Sequence, residues 1–287
     1  MKIVKGYTMM HEHLHIDLSK VKNNDDCNLN DMEATIKEFK ELYTNGVRNI
    51  LDVTNRGMGY DLAYIKKIEA ASKIKIITST GFYKDPFLPD YFDKMSTLEL
   101  AGMLVKDLKE GASVIGEIGT SNNEWTQNEK KLFEAAVLAS QVRSTVIYTH
   151  TTLGSLALEQ AKFFLANKVN PDQVIIGHIC LAKSFDLIVE LIKLGFNLGF
   201  DTIGKNNYFP DDTTADFIKK LEDLDLLDKV VLSVDITRKS HLKVNGGIGY
   251  NYLFTDFIPL LLKKGVSQAS IDKMLIANPT RILSYVE

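Results

Sequence analysis

Four histidines and two carboxylates carry the chemistry in this 287-residue chain. His11 and His13 form a His-x-His pair. Glu117 lies in VIGEIG, His150 in IYTH, His178 in IIGH and Asp235 in LSVD. All six fall where a short apolar, β-branched run ends. Alternate residues of a strand share a face, so His11 and His13 can aim at one point. A lone His or Asp at a strand end is ordinarily a satisfied loop or core residue. Here four of the six histidines of the chain occupy such ends. Buried imidazoles and carboxylates are costly unless something compensates, and metal ions do so. Imidazole nitrogen with carboxylate oxygen and no thiolate suits Zn²⁺, with Mn²⁺, Co²⁺, Ni²⁺ or Fe²⁺ as alternatives. An open catalytic zinc usually has about three protein ligands. Six therefore imply two ions with a shared bridge. His11, His13 and Asp235 are assigned to one ion, His150 and His178 to the other, and Glu117 to both. Two divalent ions against Glu117, Asp235 and a bridging hydroxide leave net positive charge. That charge lowers the pKa of bound water and polarises a carbonyl or phosphoryl oxygen. The expected reaction is attack of the hydroxide on an ester-type centre, with Asp235 as the catalytic proton acceptor.

Those residues need rigid elements behind them. Apolar runs occur at 47–53, 74–80, 113–117, 145–150, 174–178, 196–201 and 230–235, with a weaker one near 3–11. Helical patterns occupy 31–44, 96–110, 128–142, 184–194 and 213–226, each opening on a residue type that can cap a helix. Strands apolar throughout are buried on both faces, hence parallel and covered by helices. The 224 residues from His11 to Asp235 divide into seven repeats of 32. Eight such units make a (β/α)8 TIM barrel, here a single domain over 1–287, whose active site lies at the C-terminal ends of the strands. An open doubly wound sheet would be expected to carry a glycine-rich turn after its first strand, where this chain has His11-Glu12-His13.

Composition narrows the class. Apolar residues at 45% and charged residues at 25% exclude a disordered chain, and a net charge of −3 offers no basic footprint for nucleic acid or membrane. Cys27 and Cys180 are too few for a disulfide scaffold, and no apolar run reaches the length of a signal peptide or membrane span. A cytoplasmic protein acting on a small molecule is expected, with a homodimer left open.

Longer motifs carry a family resemblance: HEHLHIDLS (11–19), GEIGTS (116–121), THTT (149–152), FDTIGKNNYFPDD (200–212), SVDITRKSHLKVNGGIGYNYL (233–253) and NPTRIL (278–283). On these the chain resembles the phosphotriesterase family of the amidohydrolase superfamily, most closely its phosphotriesterase homology branch. The resemblance runs essentially end to end. It implies a barrel with a binuclear metal centre on His11, His13, Glu117, His150, His178 and Asp235, in agreement with the spacing. The phosphotriesterases and their lactonase relatives bridge the metals with a carboxylated lysine. Here no lysine lies between Lys109 and Lys130, and Glu117 holds the place.

Lys205, Arg238, Lys239 and His241 follow the last two runs and suggest an anion site. Lactonases of the family that act on phosphorylated sugar lactones resemble this pattern at Lys205, Arg238 and His241, with His in place of an aromatic residue. A small anionic ester or lactone is the expected substrate. Asp201 is read as orienting a ligand or capping a turn, His15 as passing beyond the rim, Cys180 as a core residue, and Tyr83 and Arg56 as pocket residues. Two rivals remain: a TatD-like metal-dependent nuclease, whose strand-eight motif differs, and a metal-retaining barrel with a non-catalytic binding role.

Overall fold

A computed structural model describes residues 3–287. Among the described residues, the main sheet has eight strands, in chain order β1 (Tyr7–Glu12), β2 (Val47–Asp52), β3 (Lys75–Thr80), β4 (Val114–Thr120), β5 (Val146–Thr151), β6 (Val174–Ile176), β7 (Asn197–Phe200) and β8 (Val230–Leu232). Each pairs in parallel with the next. This is the expected TIM barrel. The seam between β8 and β1 is closed by side chains: His11 N donates to Ser233 Oγ at 3.0 Å, and the buried Glu12 carboxylate accepts from Ser233 Oγ.

Helices cover the outside, among them α1 (Met32–Thr44), α2 (Leu62–Ser72), α3 (Thr97–Glu110), α4 (Gln127–Val142), α5 (Ala157–Ala166), α6 (Phe185–Lys193) and α7 (Asp211–Asp223). Asp31, Ser96 and Ser184 cap α1, α3 and α6 as the sequence predicts. Two starts differ. The cap of α4 is Thr126, in a capping box with Glu129, and not Asn128. The residue before α7 is Pro210, whose fixed φ suits a helix start, rather than a hydroxyl cap at Thr213.

The barrel interior is filled by alternate strand residues such as Met10, Leu51, Ile77, Val146 and Ile175, which cluster with Ile282 and Leu283 of the C-terminal helix Asn278–Leu283. NPTRIL is therefore a floor. Asn278 Nδ2 donates to the carbonyls of Leu227 and Val230, and Arg281 pairs with Asp172. The floor shuts the N-terminal end, which leaves the C-terminal end for chemistry. Among the described residues, no helix is long and apolar enough to cross a membrane.

Candidate metal centre

The six expected ligands converge at the C-terminal mouth, all but His150 buried. The sequence extends β6 and β8 to His178 and Asp235. In the fold those strands stop earlier, at Ile176 and Leu232, and His178 and Asp235 themselves adopt left-handed backbone, with φ of 56° and 60°. The turn swings each side chain inward over the barrel axis. Glu117 depends on its neighbour: Gly116 has φ of 143°, and a Cβ there would lie 2.3 Å from the Tyr148 carbonyl oxygen.

Glu117 is central. Its Oε1 lies 3.5 Å from His13 Nε2, while Oε2 lies 3.1 Å from His150 Nδ1, 3.4 Å from His178 Nε2 and 3.6 Å from His11 Nε2. Asp235 Oδ1 lies 3.5 Å from His11 Nε2 and 3.4 Å from His13 Nε2. His11 Nε2 and His13 Nε2 are buried and make no hydrogen bond. Unpaired nitrogens facing carboxylates across such gaps are costly in a dry site, and a cation between them removes the cost. Three sets of ligand atoms could each hold a metal ion: His11, His13 and Glu117; Glu117, His150 and His178; His11, His178 and Asp235. Glu117 belongs to two of them, so the donor set fits a pair of divalent ions.

Electrostatics agree. Three buried carboxylates, Glu117, Asp235 and Asp201, face one ammonium, Lys205, which pairs with Asp235 Oδ2. Burial drives His13 toward the neutral form, yet Asp235 and Glu117 overcome it and push its pKa up to about 10. The centre thus favours positive charge. Burial also opposes ionisation of Asp235, but Lys205 with His11 and His13 holds the carboxyl well below its ordinary range. His150 goes the other way: burial lowers it to about 4, so its ring is neutral, as a ligand must be.

The other ring nitrogens are fixed from behind. Asp201 Oδ1 is 2.8 Å from His178 Nδ1, Asp201 Oδ2 is 3.4 Å from His11 Nδ1, and Tyr148 OH donates to Asp201 at 2.7 Å. Asp201 thus stands near His11, whose Nδ1 makes no hydrogen bond, and orients His178. Thr54 Oγ1 does the same for His13 Nδ1 at 2.8 Å, and Thr152 Oγ1 lies 3.2 Å from His150 Nε2. Thr54, in the loop after β2, carries no signal in sequence; only the barrel brings it to His13.

A cavity of about 600 Å³ opens above the centre, and Lys205, Arg238 and His241 line it as expected. Lys239 is not among its lining residues. The cations are less free than the sequence suggests. Lys205 is paired with Asp235, and Arg238 lies 3.7 Å from Asp26. His241 is neutral near pH 7, since burial and then Lys205 lower its pKa to about 4. It offers a hydrogen bond rather than a charge. Tyr83 lines the cavity, with its hydroxyl 3.2 Å from His150 Nε2. Arg56 does not: it forms a two-pronged bridge to Asp107, away from this cavity. His15 is likewise outside the lining, bonded to the Gly59 carbonyl, and Cys180 is buried core. The sequence missed Lys22 and Lys84, which also line the cavity.

Comparison with known proteins places this architecture. The phosphotriesterase homology protein of Escherichia coli is 43% identical over 283 residues, covering 96% of this chain and 97% of that protein. A crystal structure of that homology protein, complexed with phosphate in its active site, superposes with a TM-score of 0.95 over 97% of this chain and 98% of the other. A phospho-furanose lactonase of Mycoplasmopsis synoviae is 31% identical over 315 residues, covering 98% of this chain and 88% of that protein. The pattern that defines the phosphotriesterase family matches residues 3–283, and the chain belongs to that family.

Proposed function

We propose that this chain is a binuclear zinc hydrolase that cleaves a small anionic ester or lactone, such as a phosphorylated sugar lactone. One observation carries the reading: the two oxygens of Glu117 face different histidines, Oε1 toward His13 and Oε2 toward His150 and His178, beneath a cavity rich in cations. The lactonase relative and the phosphate in the Escherichia coli structure support the substrate class.

His11, His13 and Asp235 would hold one ion, His150 and His178 the other, and Glu117 both. Bound there, the pair would supply a nucleophilic water at neutral pH and polarise the scissile carbonyl or phosphoryl oxygen. The protein does the rest. Asp201 and Thr54 set the tautomers of His178 and His13, so that Nε2 points inward. Asp235 is ionised, with Oδ2 beside Lys205, and is the group placed to take the proton. Lys205, beside it, and Arg238 seat the anionic end of the substrate.

The test is hydrolysis of a panel of phosphorylated and neutral lactones by zinc-loaded protein. Arg238→Ala is expected to raise KM about tenfold for the phosphorylated lactones, with little change for neutral ones. An equal rise for both removes the anion site, and no turnover across the panel removes the function. Reconstitution should be independent of bicarbonate, because Glu117 needs no carboxylation. Metal uptake that requires added bicarbonate would refute a glutamate bridge.

A further inference from the structure

The cations of the cavity are unevenly neutralised. On one wall, Lys205 meets Asp235 and Arg238 meets Asp26. On the other, the Lys84 amine has a single hydrogen-bond partner among the described residues, the neutral carbonyl of Asp85 at 2.9 Å. Glu129, Asp85 and Glu117 attract it through space, but none forms an ion pair with it among the described residues. Asp85 accepts from Thr126 Oγ1 at 2.6 Å, and Glu129 accepts from Ser121 Oγ at 2.7 Å and Thr126 N at 3.0 Å. Lys84 lies 5.7 Å from the Tyr83 ring and 5.6 Å from the Phe87 ring, and Lys22 lies 5.7 Å from that same Phe87 ring. Two ammonium groups thus share one aromatic platform, and both line the cavity with no carboxylate bridge between them.

The Lys84 stem also reaches the reaction centre. Gly119 makes room for it: a Cβ there would meet Lys84 Cδ at 3.2 Å and His150 Cδ2 at 3.1 Å. The stem of Lys84 therefore packs over Gly119 beside His150, and its charge is felt by that ring, on the β3–β4 side of the mouth. Paired like charges in a partly enclosed site concentrate an electrostatic potential that an anion relieves.

We infer that Lys84, with Lys22 at the rim, forms a second anion subsite, and that the preferred ligand of this cavity carries two anionic groups, one at each wall. The inference rests on the cavity being the substrate site and deepens that reading to a bis-anionic small molecule. Lys84 acts here as a specificity residue; it binds the far end of the ligand and takes no part in bond cleavage.

Calorimetric titration of the zinc-loaded protein with inorganic phosphate and with fructose 1,6-bisphosphate tests it. The wild type should bind the bisphosphate more tightly than phosphate. Lys84→Met should weaken the bisphosphate about tenfold, the loss of one charge-assisted hydrogen bond, and leave phosphate within twofold. Lys84→Arg should keep most of the affinity. The subsite is overturned if the wild type does not prefer the bisphosphate, if Lys84→Met leaves it unchanged, or if both probes weaken equally. Binding that depends on Lys84 in a protein that turns over no ester or lactone would support the subsite while the proposed reaction fails, so the two readings fail separately.

Discussion

Asp235→Asn is expected to lower kcat by roughly 10²- to 10⁴-fold while the protein still takes up metal, the usual range for loss of a general base. Asparagine keeps the shape of the side chain and one oxygen for His11 and His13 to face. It loses the ability to accept a proton. Two features suit Asp235 to accept a proton as well as to face a metal. Its carboxyl is held ionised against burial by Lys205, His11 and His13. Its two oxygens also have different neighbours, Oδ1 beside the histidines and Oδ2 beside Lys205. One oxygen can therefore face a metal while the other meets a proton. The substitution also breaks the ion pair with Lys205, so a Lys205→Ala control is needed. It should act mainly on KM for anionic substrates. Steady-state kinetics with elemental analysis of the same preparations separates the cases. Turnover undiminished in Asp235→Asn excludes the role, and loss of metal from it converts the residue to a ligand only.

The sequence revealed the barrel because its strands are buried on both faces and its helices alternate with them, a pattern that survives without tertiary knowledge. It pointed to the six candidate ligands because strand ends are where a barrel exposes side chains to its mouth. The strand boundaries at His178 and Asp235 were not legible: His and Asp tolerate left-handed backbone better than most residues, but nothing local says which of them adopts it. Nor was the state of the cations. Lys205 and Arg238 stand in a recognisable motif, but their pairing with Asp235 and Asp26 joins residues far apart in the chain. Lys84 went unnoticed for the same reason, since its motif is silent and only its lack of a carboxylate partner distinguishes it. Arg56 shows the converse: a cation placed after a strand serves Asp107 of α3 and lines a separate cavity.

Glu12 should prove as sensitive as the candidate ligands on either side of it. The side chain of this residue turns away from those of His11 and His13, into the seam where β1 meets β8. Fully buried there, its carboxylate accepts from Ser233 Oγ at 2.9 Å, Val234 N at 2.8 Å and Ile236 N at 3.1 Å. Val234 and Ile236 flank Asp235, whose left-handed φ of 60° is costly for a residue with a side chain. One carboxylate thus replaces the missing backbone ladder and clamps the peptide on both sides of Asp235. Glu12→Ala would leave two buried N–H groups without acceptors and open a void, a loss of about 3–5 kcal/mol. For a chain of this size that is a fall in Tm of roughly 5–8 °C. Released from the clamp, Asp235 should hold metal less firmly, so metal should also be lost on dialysis. Glu12→Gln should fall between, because its amide oxygen still accepts one N–H while its amide nitrogen opposes the other, donor against donor. Melting curves and metal content of the two variants measure this directly. A Glu12→Ala protein that melts within about 2 °C of wild type and keeps its metal would mean that the seam, and Asp235 with it, is held by packing alone.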